Sequence, residues 1–187
     1  MGGAPGADVL PRRDVNAREA EPMSEIMSET NPNPPAPPLV VNIQYVKDLS
    51  FEVPNAPAIY TTLRSQPNVQ INLDVQAQRL QDGQDVFEVT LQIKAEATDG
   101  SNGNGNGVGP TPVFIAELSY AGVFTLTGVP EETVEPVLLV ECPRLLFPFA
   151  RNILADVTRD GGFPPVLLQP IDFVALWQTR RGQIANA

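Results

Sequence analysis

The sequence predicts an α+β fold: a four-stranded antiparallel sheet with C-terminal helices packed on one of its faces. Two observations carry this. Between Val41 and Leu126 apolar residues recur with period two in four segments separated by turn residues. Beyond Gly128 the period becomes that of an amphipathic helix, and strands followed by helices is the order of an α+β domain. A third observation sets the boundary. Residues 1–38 hold eight prolines and almost no large apolar side chains, too little buriable surface to offset the entropy of ordering a backbone. They are expected to be a disordered tail, with the domain at 39–178 and a short flexible tail at 179–187. Met23 and Met27 each begin an "MSE", so translation is expected to start inside the first segment.

The first strand follows from Val41, Ile43, Tyr45, Leu49, Phe51 and Val53, which alternate with Asn42, Gln44, Asp48, Ser50 and Glu52. Strict alternation puts the two sets on opposite faces of a half-buried strand. "PNAP" breaks it. Val69, Ile71, Leu73 and Val75 mark the second strand, and "QDGQD" supplies the turn into the third, where Phe87, Val89, Leu91, Ile93, Ala95 and Ala97 alternate with Glu88 through Glu96. "DGSNGNGNGVGP" lacks the Lys-Ser/Thr of a phosphate-binding loop and the carboxylate spacing of a calcium loop, so it reads as a hairpin connection. Val113 to Leu126 is the fourth strand, with Ala121-Gly122 as a bulge or a point of close approach.

In "PEETVEP", Pro130 suits a helix start and Glu131 and Glu132 suit the positive end of its dipole. A second helical segment begins at Pro143, where Leu146, Phe149, Ala150, Ile153 and Val157 make one stripe, with Arg144, Arg151, Asn152, Asp156 and Arg159 outside it. Pro148 lies within, at a cost of about 3 kcal/mol if uncompensated, and predicts a kink. "GGFPPVLLQP" runs extended, and a last short helix begins near Asp172.

Composition removes most chemistry. The chain has no histidine and one cysteine, so it holds no imidazole-dependent nucleophile, four-ligand Cys/His zinc site or internal disulfide. No long apolar span appears, which with the single cysteine reads as a soluble protein of a reducing compartment, the cytoplasm by default. The formal charge is −10, and from Tyr45 to Glu141 13 acidic residues face four basic ones. Such a body repels nucleic acid and anionic membranes and attracts basic partners. Cys142 sits at the predicted helix start, where its thiol would be somewhat acidified.

Four blocks, "YVKDLSFEVPNAP" (45–57), "FIAELSYAGVFTL" (114–126), "CPRLLFPFAR" (142–151) and "GGFPPVLLQPIDFVALW" (161–177), resemble in order the signature blocks of the SecB family of bacterial protein-export chaperones. The resemblance implies a cytosolic homotetramer, a dimer of dimers, that needs no cofactor. Such a protein holds precursor proteins unfolded and delivers them to the motor ATPase SecA. It further implies a SecA-binding acidic surface at Asp48, Glu52, Ile115 and Glu117. It implies a client-binding groove at Ile59, Tyr60, Leu63, Phe163, Val166, Leu168, Phe173 and Trp177, and subunit contacts at Ala116, Leu118 and Tyr120. Against the family pattern, "YTTLRSQPN" has no tryptophan and "QTRRGQIANA" is short and basic.

Three other readings stand beside it. One is a SecB-like chaperone of a toxin–antitoxin system, and another a client-free structural oligomer. The third is an enzyme using Asp82, Asp85 or the Glu131/Glu132 pair, although turn and helix-start contexts already explain those carboxylates.

Overall fold

The computed structural model describes residues 1–3, 38–100 and 110–185; the remainder of the expected N-terminal tail and the Asn-Gly connection lie outside the described residues. Four strands, β1 (Leu39–Glu52), β2 (Asn68–Arg79), β3 (Val86–Thr98) and β4 (Pro112–Leu126), form one antiparallel sheet in the order β1-β4-β3-β2. β2, β3 and β4 are sequential hairpin neighbours. β1 instead sits at the far edge, so residues 53–67, with the single-turn helix α1 (Ile59–Thr62), carry the chain across the sheet. The helices α2 (Glu131–Pro136), α3 (Cys142–Asp160) and α4 (Phe173–Ala185) follow the sheet.

β3 is the centre of the core because its alternation is unbroken. Val89, Leu91, Ile93, Ala95 and Ala97 are buried beneath the helices with Phe114, Leu118 and Phe124 of β4. Each large side chain so buried contributes about 1.5–3 kcal/mol. Among the described residues helices cover this face alone, and the opposite face carries mostly polar side chains. Gly122 is a close-approach point: a Cβ there would stand 2.8 Å from the Phe124 ring and 2.9 Å from Leu146. β4 carries no bulge at that position; its pairing with β3 steps only at Val113, and the other irregularities belong to β1.

β1 departs from strict alternation. Its pairing with β4 steps between Val41 and Ile43 and again between Val46 and Asp48, each step inserting one residue that flips the parity of everything after it. Ile43 and Tyr45 therefore lie on the open face, while Val41, Leu49 and Phe51 lie on the helix side.

α2 and α3 are one continuous helical run. A π-helical turn, Val137–Glu141, joins them and absorbs Pro143, which has no N–H to offer the preceding turn. The helical residues continue through Pro148 without a break. The buried stripe of α3 is Pro143, Leu146, Phe147, Ala150, Leu154 and Thr158. Phe149, assigned to the stripe by spacing, is 52% exposed, because it stands about one residue's rotation off the seam set by Leu146, Ala150 and Leu154.

α4 is longer than expected and runs to Ala185, into the segment read as a tail. Asp172 caps it, its carboxylate accepting from the N–H groups of Val174 and Ala175 at 3.0 Å each. Among the described residues no helix is long and apolar enough to cross a membrane.

Candidate binding surfaces

The open sheet face is built of cross-strand rows. Asp48, Ser119, Gln92 and Asp74 form one; Ser50, Glu117, Lys94 and Asn72 the next; Glu52, Ile115, Glu96 and Gln70 the third. Asp48, Glu52, Ile115 and Glu117 thus stand on one face of two adjacent strands. Directly opposed residues of an antiparallel pair lie close enough for their side chains to interact, so these rows make a single surface. Five carboxylates surround one ammonium there. Lys94 pairs with Glu96 at 2.7 Å and Glu117 at 3.1 Å, and Arg180 reaches Asp74 at 2.8 Å. Asp48 and Glu52 are exposed and have no ion-pair partner among the described residues. A cleft of about 370 Å³ runs between the strands, lined by Asp48, Asp74, Gln92, Lys94 and Glu117 among others.

The second surface lies at one end of the helix layer, where Phe163 is the hub. Its ring packs 5.3 Å from Tyr60, 5.1 Å from Phe114 and 6.4 Å from Phe51. Tyr60 also donates its hydroxyl to the Gly161 carbonyl at 2.9 Å, fixing the first loop against the helix linker. Any side chain at Gly161 would displace the Phe51 ring, since a Cβ would lie 2.2 Å from it. Thr158 anchors the linker from below. Its buried hydroxyl donates to the carbonyls of Leu154 and Ala155 (2.9 and 3.1 Å) and accepts from the Val166 N–H at 3.0 Å. So held, Pro164, Pro165, Val166 and Leu167 form one wall of a groove of about 240 Å³ whose other side is Gln66, Pro67, Val69 and Phe114.

The eight residues assigned to a client groove separate under this geometry. Ile59, Phe163, Leu168 and Phe173 are core, each no more than 6% exposed. Phe173, for example, meets the Phe147 ring edge-on at 5.9 Å. Extended backbone alternates its side chains, so Leu168 turned inward puts Leu167 outward, 61% exposed. Tyr60, Leu63 and Val166 keep exposure at the groove end. Trp177 belongs elsewhere, in a second cleft of about 240 Å³ with Leu73, Val75, Leu139, Leu176 and Arg180, where its indole N–H donates to Glu135 at 3.0 Å. Leu167 and the prolines were missed because no helical period governs an extended linker, and Phe114 because the alternation of β4 marks it only as core.

Ala116, Leu118 and Tyr120 face the helices and are buried within the single chain, so contact with another subunit is not what covers them. Beside them lies an exposed apolar strip: Val46 and Leu49 on the helix side of the edge strand β1, and Leu145 and Phe149 on α3. Phe149 stacks on Tyr120 at 6.2 Å. Cys142 is buried in the continuous helix, not at a free helix start. Burial, and then the Glu141 carboxylate, push its thiol up to about 12, the reverse of the expected acidification.

An acidic open sheet face and apolar grooves on the helix side define a binding protein. The SecB model, "Preprotein translocase subunit SecB", matches residues 32–184. "Protein-export protein SecB" of Acidiphilium cryptum is 68% identical over 171 residues, covering 86% of this chain and 100% of the relative. The protein of that name from Granulibacter bethesdensis is 63% identical over 163 residues, covering 87% of this chain and 93% of the relative. Among solved structures, the Mycobacterium tuberculosis Rv1957 SecB-like chaperone, in complex with a ChAD peptide from the Rv1956 HigA1 antitoxin, superposes with a TM-score of 0.56. It does so at 14% identity, covering 71% of this chain and 90% of that one, and so shares the fold. The chain belongs to the SecB family of protein-export chaperones.

Proposed function

We propose that this chain works in the cytoplasm as a tetramer, a dimer of dimers, that binds unfolded precursor proteins and hands them to SecA through the open acidic sheet face. The register that lays Asp48, Glu52, Ile115 and Glu117 on one surface carries the reading. Unpaired Asp48 and Glu52 remain available to a basic partner, and such attraction is screened by salt. Precursor segments occupy the groove walled by Pro165, Val166 and Leu167 and the cleft at Trp177. Binding only the unfolded state shifts the folding equilibrium toward it by mass action, and several weak grooves on one long chain add avidity while each contact stays releasable.

Assembly uses the apolar strip of Val46, Leu49, Leu145 and Phe149 together with the unpaired outer edge of β1, whose backbone groups are open to pairing with a second copy. Relatives at 62 to 68% identity bear protein-export names, which supports export over antitoxin binding. The test is pull-down of an unfolded precursor by the full chain with and without SecA. Retention without SecA and loss with it is expected. Failure to retain any precursor would remove the reading.

A further inference from the structure

Tyr45 and Phe51 stand six residues apart on β1, a spacing that gives two side chains the same face of an unbroken strand. The structure puts them on opposite faces. The Tyr45 hydroxyl donates to Glu88 on the open face, whereas the Phe51 ring packs 5.6 Å from Phe114 on the helix side. One extra residue must stand between them. It is Lys47, left without a partner on β4 where the pairing steps from Val46–Tyr120 to Asp48–Ser119.

Glu88 holds that residue. Its carboxylate is 7% exposed, and one oxygen accepts from the Lys47 ammonium and the Gln78 amide, at 2.6 Å each, while the other accepts from Tyr45. Three strands therefore converge on one buried charge. The consequence lies downstream of the bulge, because it sets the parity of every later residue of β1. With Lys47 held out of the ladder, Asp48 and Glu52 face outward and Leu49 and Phe51 inward. With the step closed the four would exchange faces.

We infer that Glu88, through Lys47, is the positioning residue of the acidic docking face, turning Asp48 and Glu52 toward the partner; this rests on the docking reading above. It makes a basic residue essential to a surface that attracts basic partners, so its effect has the opposite sign to simple electrostatics. Lys47→Met deepens the negative charge of the face. Coulomb attraction alone predicts tighter binding of a cationic probe. Positioning predicts weaker binding, by about tenfold or more.

The experiment titrates a lysine-rich peptide onto the full chain, onto Lys47→Met and onto Lys47→Arg, with Lys47→Arg expected to restore binding. Orientation is read separately by adding Glu52→Cys and measuring its rate of modification by a charged thiol reagent. Buried Cys142 leaves that background silent. Labelling should slow by about tenfold or more when Lys47→Met is added, as expected for a side chain turned from the open face to the helix side opposite buried Phe114. Unchanged labelling together with equal or tighter peptide binding in Lys47→Met overturns the inference. A peptide that fails to bind even the native chain, with labelling still dependent on Lys47, retains the positioning role and removes the docking reading instead. Should Lys47→Met not fold, the near-isosteric Glu88→Gln replaces it, and the labelling rate decides.

Discussion

Arg180 of α4 and Asp74 of β2 meet at 2.8 Å around the outer edge of the sheet, joining the helix layer to the open face. The same guanidinium donates to the Val75 carbonyl at 2.5 Å, on a strand that ends the sheet among the described residues. With the Trp177–Glu135 hydrogen bond, this fastens α4 over the cleft it helps to form. Both partners of the ion pair are 43% exposed, so Arg180→Gln should lower global stability by at most about 1 kcal/mol. Its local effect should be larger. Hydrogen exchange of the α4 amides is expected to accelerate, and emission of Trp177, the sole tryptophan, to shift red.

Gly161→Ala should destabilise the chain by about 1–3 kcal/mol, since the added methyl group meets the Phe51 ring and overpacks the Phe163 cluster. A shift in urea midpoint checks the size, and weaker precursor retention checks that the groove end is distorted.

Thr158→Val keeps the shape of a fully buried side chain while removing the acceptor of the Val166 N–H. An unsatisfied buried donor costs about 1–3 kcal/mol. Faster exchange at Val166 than at the α3 amides would locate the loss in the linker; equal protection would show that Thr158 does not hold it.

Glu88 makes stability depend on pH in a stated direction. Hydrogen bonds from Lys47 and then Tyr45 hold its carboxyl below the ordinary value of 4.5. A depressed folded-state pKa stabilises fully above the unfolded value and is lost as pH falls through the folded one. The urea midpoint of the native chain should therefore fall below about pH 4.5, with Glu88→Gln falling less over the same range. Tyr45 is raised by Glu88, so the cluster also weakens as pH climbs above about 10.

Phe149→Asp places a charge in the exposed apolar strip without touching the buried stripe of α3. Sedimentation should show a smaller assembly with unchanged helix content. An unaltered mass would move the subunit contact elsewhere.

The sheet and helices were legible where one period governed: β3 alternates apolar and polar residues from Phe87 on, so its two faces could be assigned residue by residue, although Glu88 and Thr90 on the polar face are buried. β1 defeated the same rule because bulges at two steps reverse parity, and no glycine or proline in "VNIQYVKDLS" marks them. Asp48 and Glu52 were nonetheless placed together, since both follow the second step. α3 offered two overlapping apolar rows, and spacing chose Phe149 where packing chose Phe147 and Leu154. At the client groove, apolar content suggested exposure for Phe163 and Leu168, whereas Phe51, Phe114 and Tyr60 bury the former from three different segments, contacts that no local pattern records.

The acidic sheet face is the surface proposed to receive SecA. Titrating SecA onto the chain carrying Asp48→Lys and Glu52→Lys together, beside the native chain and with assembly mass monitored, tests it most directly. Loss of measurable SecA binding at unchanged mass is expected; equal affinity for both proteins would show that SecA docks elsewhere.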